Sequence, residues 1–278
     1  MVAIHFQNKE EMEYVYRLLL EDNRSESLDI NQYGWTLDVR VKEGEPENIL
    51  FLLGPLESLI IHKKRNEWFR KVLEEQFYYQ DSYEQAQIIE MIHSILDGKR
   101  KGLILPERLL DTEGNVREAL KEVLLAKDSF SLEAFLTFRL RSFFEKMMEL
   151  VEIAIDEYKL EQDYQMFIQY LRDFISSRTS QKECIYIVHD GDEFLFFDEN
   201  RREMKRSELN QSIDRKLLSD HPIYVDSNII APLISINPKK IYLFTDHPEQ
   251  GIVQTLCQVF DENLIVKPFR GFGVQKEK

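Results

Sequence analysis

The sequence predicts a mixed α+β protein: a small N-terminal α/β cap, a central helical bundle with one long helix, and a small C-terminal α/β layer. Three observations carry this. Between residues 47 and 178 apolar side chains recur at steps of three and four, the spacing of a helix face. Before that stretch a run alternates with period two, as a half-buried strand does. Beyond residue 179 strand-like and helix-like runs take turns, the pattern of a small sheet linked by right-handed crossovers. The polar run Ser176–Ser180 separates the last two regions. The domain expectation is therefore 1–178, cap plus helical domain, and 179–278, an α/β domain.

In the cap, Val2–Phe6 reads as a short strand, and Lys9–Leu20 as a helix with Met12, Val15, Tyr16 and Leu19 on one face. Tyr33–Val41 alternates, which places Trp35, Leu37, Val39 and Val41 on the buried side of a strand. Helical segments follow over Glu47–Ile61, Asn66–Tyr79, Tyr83–Leu96 and Val116–Ala126, with Asp97-Gly98 as a stop signal. Ser131 is a candidate N-cap for the strongest helix, and Glu133 suits the positive end of its dipole. That helix carries Leu136, Leu140, Phe143, Met147, Leu150 and Ala154 in one stripe and is expected to run to about Leu160. A second amphipathic segment then follows, with Tyr164, Phe167, Ile168, Leu171 and Ile175 on one face.

In the C-terminal layer Cys184–Val188 and Phe194–Phe197 read as strands joined by an Asp190-Gly191 turn. Ser207–Leu218 and Asp226–Ile236 read as helices, Lys239–Phe244 as a strand, Pro248–Phe260 as a helix and Leu264–Val266 as a strand. Arg270–Lys278 is a basic tail.

Composition sets bounds on function. The chain of 278 residues carries 36 Lys+Arg against 50 Asp+Glu, a net charge of −14. That charge repels phosphate backbones and anionic lipid, which argues against broad nucleic-acid binding unless a local basic patch exists. Hydrophobic residues make up 43% of the chain, with 18 Phe and 12 Tyr, so the chain can build a core. No apolar run approaches the ~18 residues of a membrane span, and the N-terminus MVAIHFQNKEEMEY lacks the charge and apolar core of a signal peptide. Cys184 and Cys257 sit in apolar stretches and read as small buried hydrophobes in a reducing compartment. The expectation is a cytoplasmic protein without a membrane anchor.

Motifs for the common chemistries are missing. None of the 10 glycines falls in a G-x-G-x-x-G or G-x-x-x-x-G-K-[ST] pattern, so a nucleotide loop is unsupported. The two cysteines are too far apart for a C-x-x-C ligand pair, and no two of the 6 histidines lie three or four apart. No cofactor or metal is expected. All three C-terminal histidines adjoin an aspartate: His189-Asp190, Asp220-His221 and Asp246-His247. They read either as an acid–base or metal cluster at sheet ends or as ordinary strand-end and capping residues. Asp246 reads further as the cap of a helix with Pro248 at its first position. Glu145, Glu149, Glu152 and Asp156 step by four, three and four along the long helix; they read as a solvated face or as a partner contact. The basic clusters Lys63-Lys64-Arg65, Lys99-Arg100-Lys101 and Arg201-Arg202 with Lys205-Arg206 read as solubilising loops and helix ends.

Phe130–Arg178 carries a series of fragments in a set order: Phe135-Leu136-Thr137-Phe138-Arg139-Leu140, Ala154-Ile155-Asp156-Glu157-Tyr158, Glu161-Gln162-Asp163-Tyr164, Phe167-Ile168 and Leu171-Arg172-Asp173-Phe174-Ile175. In this order and spacing the segment resembles the core signature of the YtxC-like family, associated with sporulation in endospore-forming bacteria. Ala134 stands where the family pattern has a glycine, and Asp163 where it has a second glutamate. The resemblance extends more weakly through Asp226–Phe244 and Ile252–Phe260. It implies a sporulation context and supplies no catalytic residue. Arg139 and Asp156 are its polar members and candidates for a polar or partner contact. The leading expectation is a non-enzymatic protein that binds another protein. The alternative is an enzyme or small-ligand-binding protein with a site at the C-terminal strand ends, where His189, Asp246 and His247 are the suspects.

Overall fold

The computed structural model describes residues 1–21, 27–42, 45–100, 102–109, 113–126, 129–191, 193–213 and 228–272. They divide into two units, Met1–Lys159 and Leu160–Lys278. Each has one four-stranded sheet and its own apolar core. The architecture is mixed α and β with one long helix, as the periodicities predict.

In the first unit β1 (Val2–His5) lies at the centre of a sheet of order β2-β3-β1-β4. It pairs antiparallel with β3 (Thr36–Val41) and parallel with the two-residue β4 (Phe130–Ser131). The single strand expected over Tyr33–Val41 is instead the second arm of a hairpin, because β2 (Leu28–Tyr33) precedes it. Gly34, at φ +60°, makes the turn, a conformation that costs glycine little. Leu37 and Val39 are buried as expected, Val41 is half-buried, and Trp35 sits in the turn and is 58% exposed. Helix α1 (Lys9–Glu21) buries Met12, Val15 and Leu19.

The segment expected as one helix over Glu47–Ile61 changes pitch twice. A 3-10 stretch (Pro46–Leu52) leads into α2 (Leu53–Ser58) and then into a π-helical turn, Leu59–Lys64. Helix α3 (Arg65–Glu75) continues from it without a break. Helix α4 (Ser82–Leu96) is capped by Asp81, whose Oδ1 accepts from Tyr83 N at 2.8 Å and Glu84 N at 2.9 Å. Helix α5 (Glu113–Ala126) buries Val116, Leu120 and Leu124.

Ser131 does act as an N-cap, accepting from Ala134 N, but the helix behind it (α6, Leu132–Ala134) passes at once into a second π turn, Phe135–Arg139. The long helix α7 runs from Arg141 to Ser176, 36 residues. The expected break near Leu160 is absent. No glycine or proline occurs between Arg141 and Ser176, and just beyond that point Gln165 Nε2 donates to Glu161 Oε1 at 3.0 Å. Up to Tyr158 its apolar residues belong to the first unit's core; from Phe167 they belong to the second's.

The second unit holds β5 (Cys184–His189), β6 (Phe194–Phe197), β7 (Lys240–Thr245) and β8 (Leu264–Lys267), in sheet order β6-β5-β7-β8. The pair β5–β6 is antiparallel, and β5–β7 and β7–β8 are parallel. Ile185, Ile187, Ile241 and Leu243 pack against α7, α8 (Arg206–Ser212), α9 (Ile230–Ile236) and α10 (Gly251–Phe260). Tyr186, Val188, Tyr242 and Phe244 occupy the opposite face with Phe197 and Phe272. Helix α9 ends at Asn237, in the left-handed region at φ +46°. Its Nδ2 donates to the carbonyls of Ile175 and Arg178, each at 3.0 Å, and so fastens the end of α7. His221, residues 214–218 of the helix expected over Ser207–Leu218, and residues 273–278 of the basic tail lie outside the described residues. Among the described residues no helix is long and apolar enough to cross a membrane.

Candidate functional site

The two π turns stand on either side of a cleft in the first unit. Each is closed by a backbone bond that reaches back five residues: Arg65 N to Ile60 O, and Leu140 N to Phe135 O. Such turns re-aim the side chains that follow them and are often found at functional sites. Here Lys64, Trp68 and Lys71 project from one helix, and Leu136, Thr137, Arg141, Phe144, Glu145 and Met148 from the other. They enclose about 650 Å³, within the usual range for ligand-sized clefts. Trp68 and Phe144 meet ring to ring at 5.1 Å and, with Leu136 and Met148, make an apolar floor.

The rim is charged. Arg141 Nε donates to Glu145 Oε1 at 3.0 Å, Glu67 and Glu133 add carboxylates, and Lys71 is exposed with no ion-pair partner among the described residues. Beneath it lies a buried network. Lys64 forms an ion pair with Glu11, approaches Glu67 Oε2 at 3.5 Å and donates to Gln7 Oε1 at 3.3 Å. Glu11 also caps α1 reciprocally: its backbone N–H donates to Asn8 Oδ1, and its carboxylate accepts from Asn8 Nδ2, both at 2.9 Å.

Lys64 and Arg65 thus overturn the expectation that Lys63-Lys64-Arg65 is a solvated helix end, being 9% and 5% exposed. Arg65 pairs with Glu113 at 3.1 Å, yet its Nε is buried without a partner. Burial lowers the guanidinium's affinity for its proton, and Glu113 partly restores it. A signal for both was present: they stand four residues after the buried Ile60 and Ile61, on the same helix face.

Of the residues singled out on the long helix, only Glu145 lines the cleft. Arg139 is exposed at the end of the second π turn, next to Phe138, itself 78% exposed. Glu149 is held by Arg108, with Nε donating to Oε2 at 3.1 Å. Glu152 and Asp156 are exposed. Trp68 and Phe144 were missed as site residues because aromatics at helical spacing look the same in sequence whether they fill a core or floor a cleft.

At the strand ends of the second unit, His189 and His247 do come together. Their ring centroids are 6.1 Å apart, and His189 stacks on Phe194 at 4.1 Å. His189 is fully buried; its Nδ1 lies 2.9 Å from Thr245 Oγ1, which also accepts from His247 N. Its Nε2 has no partner. Asp246 is engaged elsewhere: its Oδ1 accepts from Phe269 N at 3.1 Å. It does not cap the following helix, which starts at Gly251 behind Gln250 rather than at Pro248. Asp190 serves the hairpin, accepting from Glu193 N at 3.0 Å. Among the described residues no three His, Cys, Asp or Glu side chains are placed to hold a metal. Cys184 and Cys257 are free and half-buried rather than buried, and burial raises the Cys257 thiol above its ordinary value.

Comparison with known proteins bears on this region. The profile of the YtxC-like family matches residues 52–265, which include both π turns and most of the cleft. A curated relative, "Uncharacterized protein YtxC" of Bacillus subtilis (strain 168), is 36% identical over 222 residues, 80% of this chain and 78% of its own. No solved structure matches.

Proposed function

We infer that this chain, which belongs to the YtxC-like family, acts in the cytoplasm by holding a segment of another protein in the cleft between its π turns. The sporulation setting that its resemblance implies is part of the same proposal. The observation that carries it is the anatomy of the cleft. An apolar floor of Trp68, Phe144, Leu136 and Met148 is ringed by Arg141, Glu145, Glu67 and Lys71. Protein interfaces are built this way, with a Trp or Arg anchor at a desolvated centre and a polar rim. Phe138, exposed beside the cleft, adds a further apolar contact. Glu145, Glu149, Glu152 and Asp156 step along the adjoining helix, and Arg139 ends the π turn before it; together they form the polar part of the contact.

The test is site-specific photocrosslinking in sporulating cells, with a benzoyl-phenylalanine at position 138 and, as control, at the equally exposed Tyr33. The reading expects a discrete adduct from position 138 only, lost in Trp68→Ala and Arg141→Glu. It fails if position 138 gives no adduct, or the same adducts as position 33.

A further inference from the structure

The second unit carries a binding surface independent of the cleft. Helices cover one face of its sheet. Against the other face lie Arg201 and the segment Phe269–Phe272. On that face the strand register brings Tyr186 of β5 beside Tyr242 of β7, their rings stacked 5.3 Å apart at 19°. Each outer side of the pair carries a cation. Arg201 lies 5.6 Å from the Tyr186 ring, and Lys267 lies 4.6 Å from the Tyr242 ring. The result is a row Arg201–Tyr186–Tyr242–Lys267 crossing the sheet, roughly 15 Å long at the ~4.8 Å spacing of strands.

Charge is distributed here against the trend of the whole molecule. The chain has a net charge of −14, yet no position of the four strands on this face is acidic, and the acid nearest its β6 edge is Glu203, bridged to Phe197. Lys267 and Arg201 are exposed and form no ion pair among the described residues. Lys240, on the same face, donates to the carbonyl of Glu262 and forms no ion pair among the described residues. The carboxylate at the margin, Asp246, is turned to Phe269 N.

We propose that this sheet face binds single-stranded nucleic acid, with Lys267 and Arg201 on phosphates about two nucleotides apart and the edges and hydroxyls of the Tyr186–Tyr242 pair against the bases. The match is chemical. Single strands present phosphates at intervals and aromatic faces between them, and sheet surfaces that take them combine cations with aromatic rings. Duplexes bury the base faces, and an acidic peptide offers the charge without the rings. A lipid surface calls for protruding apolar side chains, whereas the aromatic side chains here are at least half-buried and packed ring against ring.

The experiment is fluorescence anisotropy of the full chain with labelled oligouridine and oligothymidine across a salt series. Unlabelled duplex, polyglutamate and phosphatidylserine vesicles serve as competitors. The proposal expects binding that weakens with salt, with a log–log slope of about −1.4, near −0.7 for each of the two phosphate contacts. Arg201→Glu with Lys267→Glu should weaken binding about tenfold or more and flatten the slope by about 1.4. Tyr186→Leu should weaken it at unchanged slope, with thermal melting confirming that each variant is folded. Absence of binding at low salt overturns the proposal, as does a double charge variant that is folded and binds like the parent. Equal competition by duplex, by polyglutamate or by vesicles overturns it too, in favour of a general polyanion or membrane surface.

Discussion

Lys64 and Glu11 form an ion pair beneath the cleft with both side chains at least nine-tenths buried. The pair joins α1 to the first π turn, and Glu11 simultaneously caps its own helix. Removing one partner leaves the other as an isolated buried charge, which costs far more than losing a surface pair. Lys64→Met should therefore destabilise the protein by about 3–5 kcal/mol. Adding Glu11→Gln should recover part of that loss. Urea denaturation of the four members of the cycle measures the coupling; a Lys64→Met cost below about 1 kcal/mol would mean that the pair behaves as a surface contact.

The two tryptophans should report on different surroundings. Trp68 is half-buried against Phe144, and Trp35 is exposed in its turn. In Trp35→Phe the remaining emission should be blue-shifted and poorly quenched by acrylamide; in Trp68→Phe it should be red-shifted and readily quenched. Phe144→Ala should raise the quenching of Trp68. Identical quenching of the two single-tryptophan variants would contradict the cleft geometry.

His93 gives stability a pH dependence of definite sign. Burial, and then the nearby Arg65, lower its proton affinity; Asp97 pulls the other way, and His62 adds a smaller lowering. The unfolded chain, whose histidine titrates near ~6.5, thus binds a proton more readily than the folded one. Folding stability should fall as pH drops through that value and hold above it. His93→Gln should reduce the slope of unfolding free energy between about pH 7 and pH 5.5. An unchanged slope would show that other groups set it.

Asn237 supports two tasks that substitutions can separate. Its left-handed backbone suits Asn or Gly, and its side chain holds two carbonyls at the end of α7. Asn237→Gly should keep the turn but lose both bonds, at about 1–3 kcal/mol. Asn237→Ala adds backbone strain of about 1 kcal/mol or more. Thermal melting should rank the two variants in that order below the parent; Ala at or above Gly would remove the conformational argument.

What could be read from the sequence follows from which signals are local. Helix periodicity and β alternation are written in neighbouring residues, so the mixed architecture, the Asp190 turn and the Ser131 cap were legible. Pitch changes are not: Leu59-Ile60-Ile61 and Phe135–Arg139 look helical whether the turn closes at four residues or five. The break expected near Leu160 reflected a change in which face is apolar, and a continuous helix can make that change when it exchanges one core for another. The strand-end histidines His189 and His247 lie side by side, but the direction of Asp246 depends on Phe269, a contact across 23 positions with no trace in local pattern. The cleft itself joins residues from 7 to 148 and could not be assembled from spacing alone.

The pairing of Ile4 with Phe130 has a consequence for biosynthesis. β1 leaves the ribosome ahead of its antiparallel partner β3, which follows soon after. The β4 segment that closes its other side emerges roughly 6–25 seconds later at ~5–20 residues per second. During that interval the nascent sheet has an open edge on its most apolar strand, a template for wrong pairing. Translation speed between residues 42 and 130 should therefore influence how much of the newly made protein reaches the native state.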